Sequence, residues 1–82
     1  MSISPNPAKE NTTVSFNTVK AGVATFVIKD FAGKQVMVLS QKVVKGNNRI
    51  YINGLSKLPS AVYNLQVIID NEMMTQKLII FN

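Results

Sequence analysis

The stretch Val62–Phe81, VYNLQVIIDNEMMTQKLIIF, is the most strongly patterned part of the sequence. Every second residue of Tyr63–Ile69 is apolar, and an alternation with a period of two predicts a strand that buries one face. A second strand is predicted from Met73 to the end of the stretch. Between the two strands, Asp70–Glu72 supplies polar residues for a tight turn, in which we expect Asn71 to adopt a positive φ. The stretch therefore predicts a β-hairpin.

Four further segments of the chain have a similar strand-like pattern. They are Thr12–Thr18, Val23–Lys29, Lys34–Val44 and Arg49–Asn53. In the first segment we expect Val14 and Phe16 on the buried face and the hydroxyl-bearing residues on the opposite face. The third segment also places Val36, Leu39 and Val43 at helical spacing. Its β-branched valines and its flanking glycines nevertheless favour a strand.

Turn-forming residues separate these segments. Asp30–Gly33 fits a type I turn with Asp first and Gly fourth, and we expect Gly33 to adopt a positive φ. Gly46–Asn48 predicts a second turn, because its residues tolerate the left-handed region. Gly54–Ser60 predicts a connecting loop in which Pro59 breaks any strand.

A chain of 82 residues allows one small domain. Short strands at regular spacing, with no convincing helix, are typical of an antiparallel sandwich or a small barrel. Because about seven strands fit this length, we predict an all-β fold, an antiparallel Ig-like β-sandwich without the usual disulfide and core tryptophan. Pro5 and Pro7 lack backbone donors, so we expect the first strand at a sheet edge. Phe16, Phe26 and Tyr63 share the phase of the predicted core.

The composition leaves little material for chemistry. The chain has no Cys and no His, which excludes disulfides, thiol nucleophiles, imidazole bases and the usual zinc sites. Asp70 and Glu72 share one turn, but a cation bound there would need further oxygen ligands. Gly33-Lys34 lacks the glycine spacing of a phosphate-binding loop. We therefore predict that the chain is not an enzyme and that it binds no cofactor and no metal.

The net charge of +5 comes from nine Lys+Arg against four Asp+Glu. The basic residues are scattered, and a single Arg with no Trp supplies few of the contacts that nucleic-acid readers use, so we expect no nucleic-acid partner. The longest apolar runs fall far below the ~18 residues of a membrane span, and no transmembrane segment is predicted. Met1–Pro5 shows no secretory signal. We expect that Met1 is an added start residue and that an upstream cargo is absent from this sequence.

Five motifs stand in order along the chain. They are Pro5-Asn6-Pro7-Ala8, Asp30-Phe31-Ala32-Gly33-Lys34-Gln35-Val36, Gly46-Asn47-Asn48, Leu58-Pro59-Ser60-Ala61-Val62-Tyr63 and Gln76-Lys77-Leu78-Ile79-Ile80. Each motif alone occurs in many loops. Their ordered combination over essentially the whole chain resembles the type IX secretion system C-terminal sorting domain (type A, the Por secretion tail family) of certain Gram-negative bacteria. Two positions depart from the family pattern: Ser4 replaces an aromatic residue, and Ala61 replaces a glycine, so that a positive φ there would be strained.

The resemblance implies that residues 1–82 are a single C-terminal sorting domain, a secretion address. Cargo of this family crosses the inner membrane by an N-terminal signal and presents the domain in the periplasm. The outer-membrane type IX machinery then moves the cargo to the cell surface or the medium. A sortase-like cysteine protease commonly removes the domain and joins the cargo to anionic lipopolysaccharide. Other members of the family keep the domain and serve as components of the machinery, and both alternatives stay open. The resemblance gives as candidate recognition residues Pro5, Asn6, Pro7, Ala8, Asp30, Gly33, Lys34, Val36, Gly46, Asn47, Leu58, Tyr63, Lys77 and Leu78.

Recognition by the machinery suits a folded sandwich with open strand edges, to which a partner can add a strand. We expect the last hairpin, Val62–Phe81, to carry much of this recognition, with Lys77 facing solvent or a partner. An exposed edge also allows a homodimer by edge-strand pairing. An Ig-like adhesion or carbohydrate-binding module of a surface protein would share the fold and the composition, and this alternative stays open. For such a module, Tyr51 and Phe31 are the aromatic residues that could be exposed.

Overall fold

Seven β-strands account for most of the chain, and the computed structural model describes all of residues 1–82. The strands are β1 (Ser2–Ser4), β2 (Asn11–Thr18), β3 (Gly22–Lys29), β4 (Gln35–Val43), β5 (Gly46–Asn53), β6 (Ala61–Ile69) and β7 (Glu72–Ile80). A single 3-10 turn, Leu55–Lys57, lies in the connection between β5 and β6. The all-β prediction is confirmed, and so is the prediction of a strand for the segment with partly helical spacing, which is β4.

The strands form two antiparallel sheets that pack as a sandwich. The first sheet has three strands in the order β1-β2-β5, and the second has four in the order β4-β3-β6-β7. In a constant-type immunoglobulin domain the fourth strand belongs to the same sheet as the first, second and fifth strands. Here it lies in the second sheet, because the tight turn after β3 returns the chain as β4 beside β3. As predicted, β1 lies at a sheet edge.

The inner faces of the two sheets enclose one core of 17 buried residues. Phe16 of β2 and Phe26 of β3 meet across the sandwich, with their ring centroids 6.0 Å apart. Burying such a side chain stabilises the fold by about 1.5–3 kcal/mol. Because the two rings belong to different sheets, their contact helps to hold the sheets together. Tyr63 is buried on the inner face of β6, and Leu55 closes the core from the 3-10 turn. The predicted core positions of the three aromatic residues are therefore confirmed.

The turn between β3 and β4 has the predicted form. Gly33 N–H donates to the Asp30 carbonyl at 3.0 Å, and Gly33 has a φ of +86°. One carboxylate oxygen of Asp30 also accepts from the N–H groups of Ala32 and Lys34, at 2.9 and 2.8 Å. Asp30 therefore holds the turn through both its backbone and its side chain.

The predicted turn at Gly46–Asn48 is wrong in its position. The connection is shorter, and β5 already begins at Gly46, which has the positive φ of +100°. Asn48 is buried in β5, where its side chain accepts from the N–H of Val44 at 3.0 Å and donates to the Val44 carbonyl at 2.9 Å. The asparagine thus closes the turn from inside the strand.

Two smaller predictions are also corrected. In the β6–β7 turn the positive φ, 52°, belongs to Asp70 and not to Asn71. The Asp70 carboxylate lies 3.4 Å from the Lys20 ammonium, in an exposed ion pair. Not all hydroxyls of β2 lie on the outer face, since Thr12 shares the inner face with Val14 and is fully buried.

Candidate recognition site

Four of the five sequence motifs lie at one end of the sandwich. The pairing of β3, β6 and β7 aligns Lys29, Asn64 and Lys77, which places the β3–β4 turn beside the end of β7. Leu55 N–H donates to the Glu10 carbonyl at 2.9 Å and so brings the β5–β6 connection to the same end. We call this end the motif end; it consists of Pro5–Glu10, Asp30–Val36, Gly54–Tyr63 and Lys77–Asn82.

Gly46 and Asn47, the remaining candidate residues, lie at the opposite end. They pair with Thr18 and Asn17, next to the β2–β3 connection. The structure therefore does not bring them together with the other motifs, and their place in the fold is the start of β5.

The opening and closing motifs contact each other directly. Asn6 Oδ1 accepts from the N–H of Ile79 at 2.9 Å, and Asn6 Nδ2 donates to the carbonyl of Lys77 at 3.1 Å. The backbone of Ala8 continues the pairing, since its N–H donates to the Ile79 carbonyl and its carbonyl accepts from the N–H of Phe81, both at 2.8 Å. The side-chain amide of Asn6 and the backbone of Ala8 thus cover the later part of the outer edge of β7. We call this contact of Pro5–Ala8 with Lys77–Phe81 the terminal junction.

The residues around the terminal junction fix the path of the N-terminal segment. Ile3 pairs with Val14 in the three-stranded sheet, whereas Ala8 pairs with β7 of the four-stranded sheet, so this segment crosses between the sheets. Pro5 and Pro7 lie exposed in the crossing, and both follow cis peptide bonds. The buried hydroxyl of Thr12 donates to the Pro5 carbonyl at 2.8 Å. Thr12 was not among the predicted site residues, although its phase in β2 places it on the inner face.

Tyr63 holds the start of β6 to the preceding loop. Its ring is buried, and its hydroxyl donates to the carbonyl of Pro59, four residues upstream. A tyrosine bonded to upstream backbone at this corner is a known feature of immunoglobulin-like sandwiches. Burial, and secondarily the charge of Asp30, raises the pKa of the Tyr63 phenol above its ordinary value of 10.0. The phenol is therefore neutral near pH 7 and acts as a hydrogen-bond donor.

The chain terminus is bonded to the same loop. The side chain of Asn82 donates to the Leu58 carbonyl at 2.8 Å, and Ser60 Oγ donates to Asn82 Oδ1 at 3.0 Å. Leu58 itself is partly buried against the core. Asn82 is a second residue that the sequence reasoning missed, since an exposed terminal asparagine has no pattern signal.

The other candidate residues divide between core and surface. Leu78 is fully buried, and Val36 packs partly buried against the core. The side chains of Lys34 and Lys77 are exposed. Ala61 does not have a positive φ, so the backbone strain expected for an alanine in that conformation does not arise.

Two strand edges of the four-stranded sheet are open to different extents. On β7, the N–H and C=O groups of Lys77 and Ile79 point away from β6, as their bonds to the N-terminal segment show. Because these directions alternate along a strand, the backbone groups of Met73 and Thr75 point the same way. The terminal junction covers only the later part of this edge. On the other side of the sheet, β4 has no further strand beside it along Gln35–Val43.

The acidic side chains of the chain do not gather into a cluster. No three or more Asp, Glu, His or Cys side chains lie close enough together to hold a metal ion. Phe31 and Tyr51 are both exposed, but Tyr51 lies on β5 of the three-stranded sheet and Phe31 in the turn of the other sheet. The two rings therefore do not form a stacking platform. None of the helical segments has the length and apolarity needed to span a bilayer.

The comparisons with known proteins agree with the motifs. A family model described as the secretion system C-terminal sorting domain matches residues 2–81. No curated protein and no solved structure matches. The family match includes both partners of the terminal junction and all seven strands. The chain therefore belongs to the type IX secretion system C-terminal sorting domain family, whose members direct export to the outer membrane, the cell surface or the medium.

Proposed function

We propose that residues 1–82 are one sorting domain that ends a longer cargo protein and is recognised as a folded unit in the periplasm. The family match over nearly the whole chain carries this proposal. It is further supported by the terminal junction, because the opening and closing motifs complete one structure only when all strands are present. In this proposal the domain has no catalytic role, and its partner is the outer-membrane type IX machinery.

The candidate recognition residues act, in this proposal, mainly by building the motif end. Asn6 and Ala8 cover part of β7, Asp30 and Gly33 hold the β3–β4 turn, and Tyr63 holds the loop before β6. Lys34 and Lys77 are exposed and are the candidates for direct contact with the machinery. The open parts of β7 and β4 are available for strand addition by a partner.

The experiment is a fusion of residues 2–82 behind a periplasmic reporter in a host with a type IX system. We expect the reporter at the cell surface or in the medium, and we expect a version lacking Lys77–Asn82 to stay in the periplasm. A full-length fusion that remains periplasmic would overturn the proposal. Unimpaired export of the truncated fusion would remove the role assigned to the last strand.

Removal of the domain by a sortase-like cysteine protease, with attachment of the cargo to anionic lipopolysaccharide, is a further part of the proposal. Ile3 is buried and Ser2–Ser4 pairs with β2, so the cleavage point belongs upstream of Ile3. Mass spectrometry of the released domain tests this. A cut inside β2 or a later strand would contradict it.

Self-association is proposed through the open edge of β4. An unpaired strand edge of nine residues is long enough to pair with a second copy. Sedimentation at increasing concentration tests this pairing. A monomer at high concentration would exclude it.

A further inference from the structure

The outer faces of the two sheets differ in chemistry. On the three-stranded sheet every outward position is polar or aromatic, as expected for a sheet face in water. These positions are Ser2, Ser4, Asn11, Thr13, Ser15, Asn17, Asn47, Arg49, Tyr51 and Asn53. No aliphatic side chain lies among them.

The outer face of the four-stranded sheet instead carries a group of aliphatic side chains. Val38 pairs with Val27 across β4 and β3, and Ile68 pairs with Met73 across β6 and β7. Val27 lies on the outer face of the sheet and is nevertheless only 6% exposed. Its neighbours Phe26 and Ile28 belong to the core, so three successive residues of β3 are buried. Three buried residues in a row are typical of a strand that is covered on both faces. We call Val23, Val27, Val38, Ile68 and Met73 the outer apolar band.

Lysines flank this band, and no carboxylate shares its face. Lys42 pairs with Val23 at one end, while Lys29 and Lys77 lie in one row on either side of Asn64 at the other. One further aliphatic pair, Val62 and Ile79, lies beyond that row on the same face. The two rows are six residues of β3 apart, which is about 20 Å. The one salt bridge of the protein joins two other residues, so none of these lysines is paired with a carboxylate.

We propose that the outer apolar band and its flanking lysines bind an aliphatic surface with an acidic rim on a protein of the export machinery. This rests on the proposed sorting function and specifies the partner's chemistry. Specific interfaces combine an apolar centre with a polar rim, and complementary charge speeds the encounter. Exposed aliphatic side chains grouped among polar residues are typical of an interaction site on a monomeric domain.

The same charges argue against two other occupants. A second copy placed face to face would bring lysines against lysines, and like charges disfavour that contact. Anionic membranes are usually bound by clusters of several adjacent basic residues and by interfacial aromatic residues. This face has three separated lysines, and none of its strands carries an aromatic side chain on the outward side.

The export assay tests the proposal with matched variants. Lys42→Glu combined with Lys77→Glu reverses charge on this face. Arg49→Glu on β5 combined with Lys45→Glu in the β4–β5 connection makes the same change in charge outside this face and outside the motif end. We expect the first pair to lower the exported fraction about fivefold or more and the second to leave it near the wild-type value. Val38→Thr with Met73→Thr should also lower export, whereas Tyr51→Thr should not. Circular dichroism and thermal melting of each purified domain verify that the variants are folded.

A labelling experiment reports binding directly. Because the chain has no cysteine, Ser40→Cys on this face and Asn17→Cys on the outer face of the other sheet give single thiols. With the machinery present, we expect protection from a maleimide only for Ser40→Cys, and without it, labelling of both variants. Equal labelling, or folded face variants exported as well as the wild type, would overturn this inference while leaving the sorting function intact. Co-sedimentation of the domain with vesicles of equal parts phosphatidylcholine and phosphatidylglycerol, lost in Lys42→Glu with Lys77→Glu, would favour a membrane and also overturn it. A wild-type fusion that is not exported would instead refute the sorting function itself.

Discussion

Replacing Asn6 by alanine removes both side-chain hydrogen bonds that hold the N-terminal segment against β7. A protein hydrogen bond contributes a net 0.5–1.5 kcal/mol, roughly. Water can replace part of the loss, because this site is exposed. We therefore expect Asn6→Ala to lower the free energy of unfolding by about 1–2 kcal/mol, toward the lower end of the sum of the two bonds.

The expected change is large enough to measure. An unfolding entropy of ~2.1 cal/mol/K per residue gives about 170 cal/mol/K for this chain, so the melting temperature should fall by about 6–12 °C. The assay is thermal unfolding followed by circular dichroism or calorimetry. Asn17→Ala is the matched control, because Asn17 is an exposed strand asparagine on β2 whose side chain makes no hydrogen bond within the chain.

Hydrogen exchange adds a local test of the same contact. The amide of Ile79 donates to Asn6 and to no strand, so its exchange should accelerate in Asn6→Ala, while amides of the β2–β5 pairing stay protected. The reasoning is refuted if Asn6→Ala melts within about 3 °C of the wild type, as the control should. It is equally refuted if the Ile79 amide exchanges at an unchanged rate.

Three further changes test other contacts. Thr12→Val should cost about 1–2 kcal/mol in urea unfolding, because it leaves the Pro5 carbonyl without its buried donor, whereas Thr13→Val on the outer face should change stability little. Tyr63→Phe should cost about 1–2 kcal/mol at neutral pH. Because the pKa of the Tyr63 phenol is raised in the folded state, the contribution of this group to stability is fully present below pH 10 and is lost as the pH rises above it. In Tyr63→Phe the free energy of unfolding should therefore fall less steeply with pH above pH 10 than in the wild type. Gly46→Ala should lose about 1 kcal/mol in thermal unfolding because Gly46 has a φ of +100°, while Gly22→Ala, which has open space and no positive φ, should be neutral.

Strands β2, β5 and β6 were predictable because each one buries a single face. In β6, Tyr63, Leu65 and Val67 repeat with a period of two, and burial of this face decides the register. The turn at Asp30–Gly33 was predictable because its residues have strong local preferences. The start of β5 was not, since Asn47 and Asn48 are common turn residues and only the pairing with β2 brings them into a strand. Long-range pairing therefore overrode local preference there.

The contacts of the candidate site were less predictable than the fold. The motifs could be found by their order, but the bonds of Asn6 to Ile79 and Lys77 join residues more than seventy positions apart. No local pattern specifies such a partner. The phase of Thr12 in β2 was a usable signal, whereas Asn82 offered none. The two departures from the family pattern, at Ser4 and Ala61, leave the fold intact, and Ala61 begins β6 without a positive φ.

The terminal junction also gives a physical reason why a sorting signal of this kind extends over a whole domain. β7 is the last strand of the domain, and the residues that cover its edge follow β1, the first strand. The outer apolar band needs Met73 of β7 beside Ile68 of β6, so it too is complete only when the last strand is in place. A truncated or unfolded chain keeps the motifs in its sequence but loses both features. A partner that binds the folded surface would therefore bind only a domain whose first and last strands have come together.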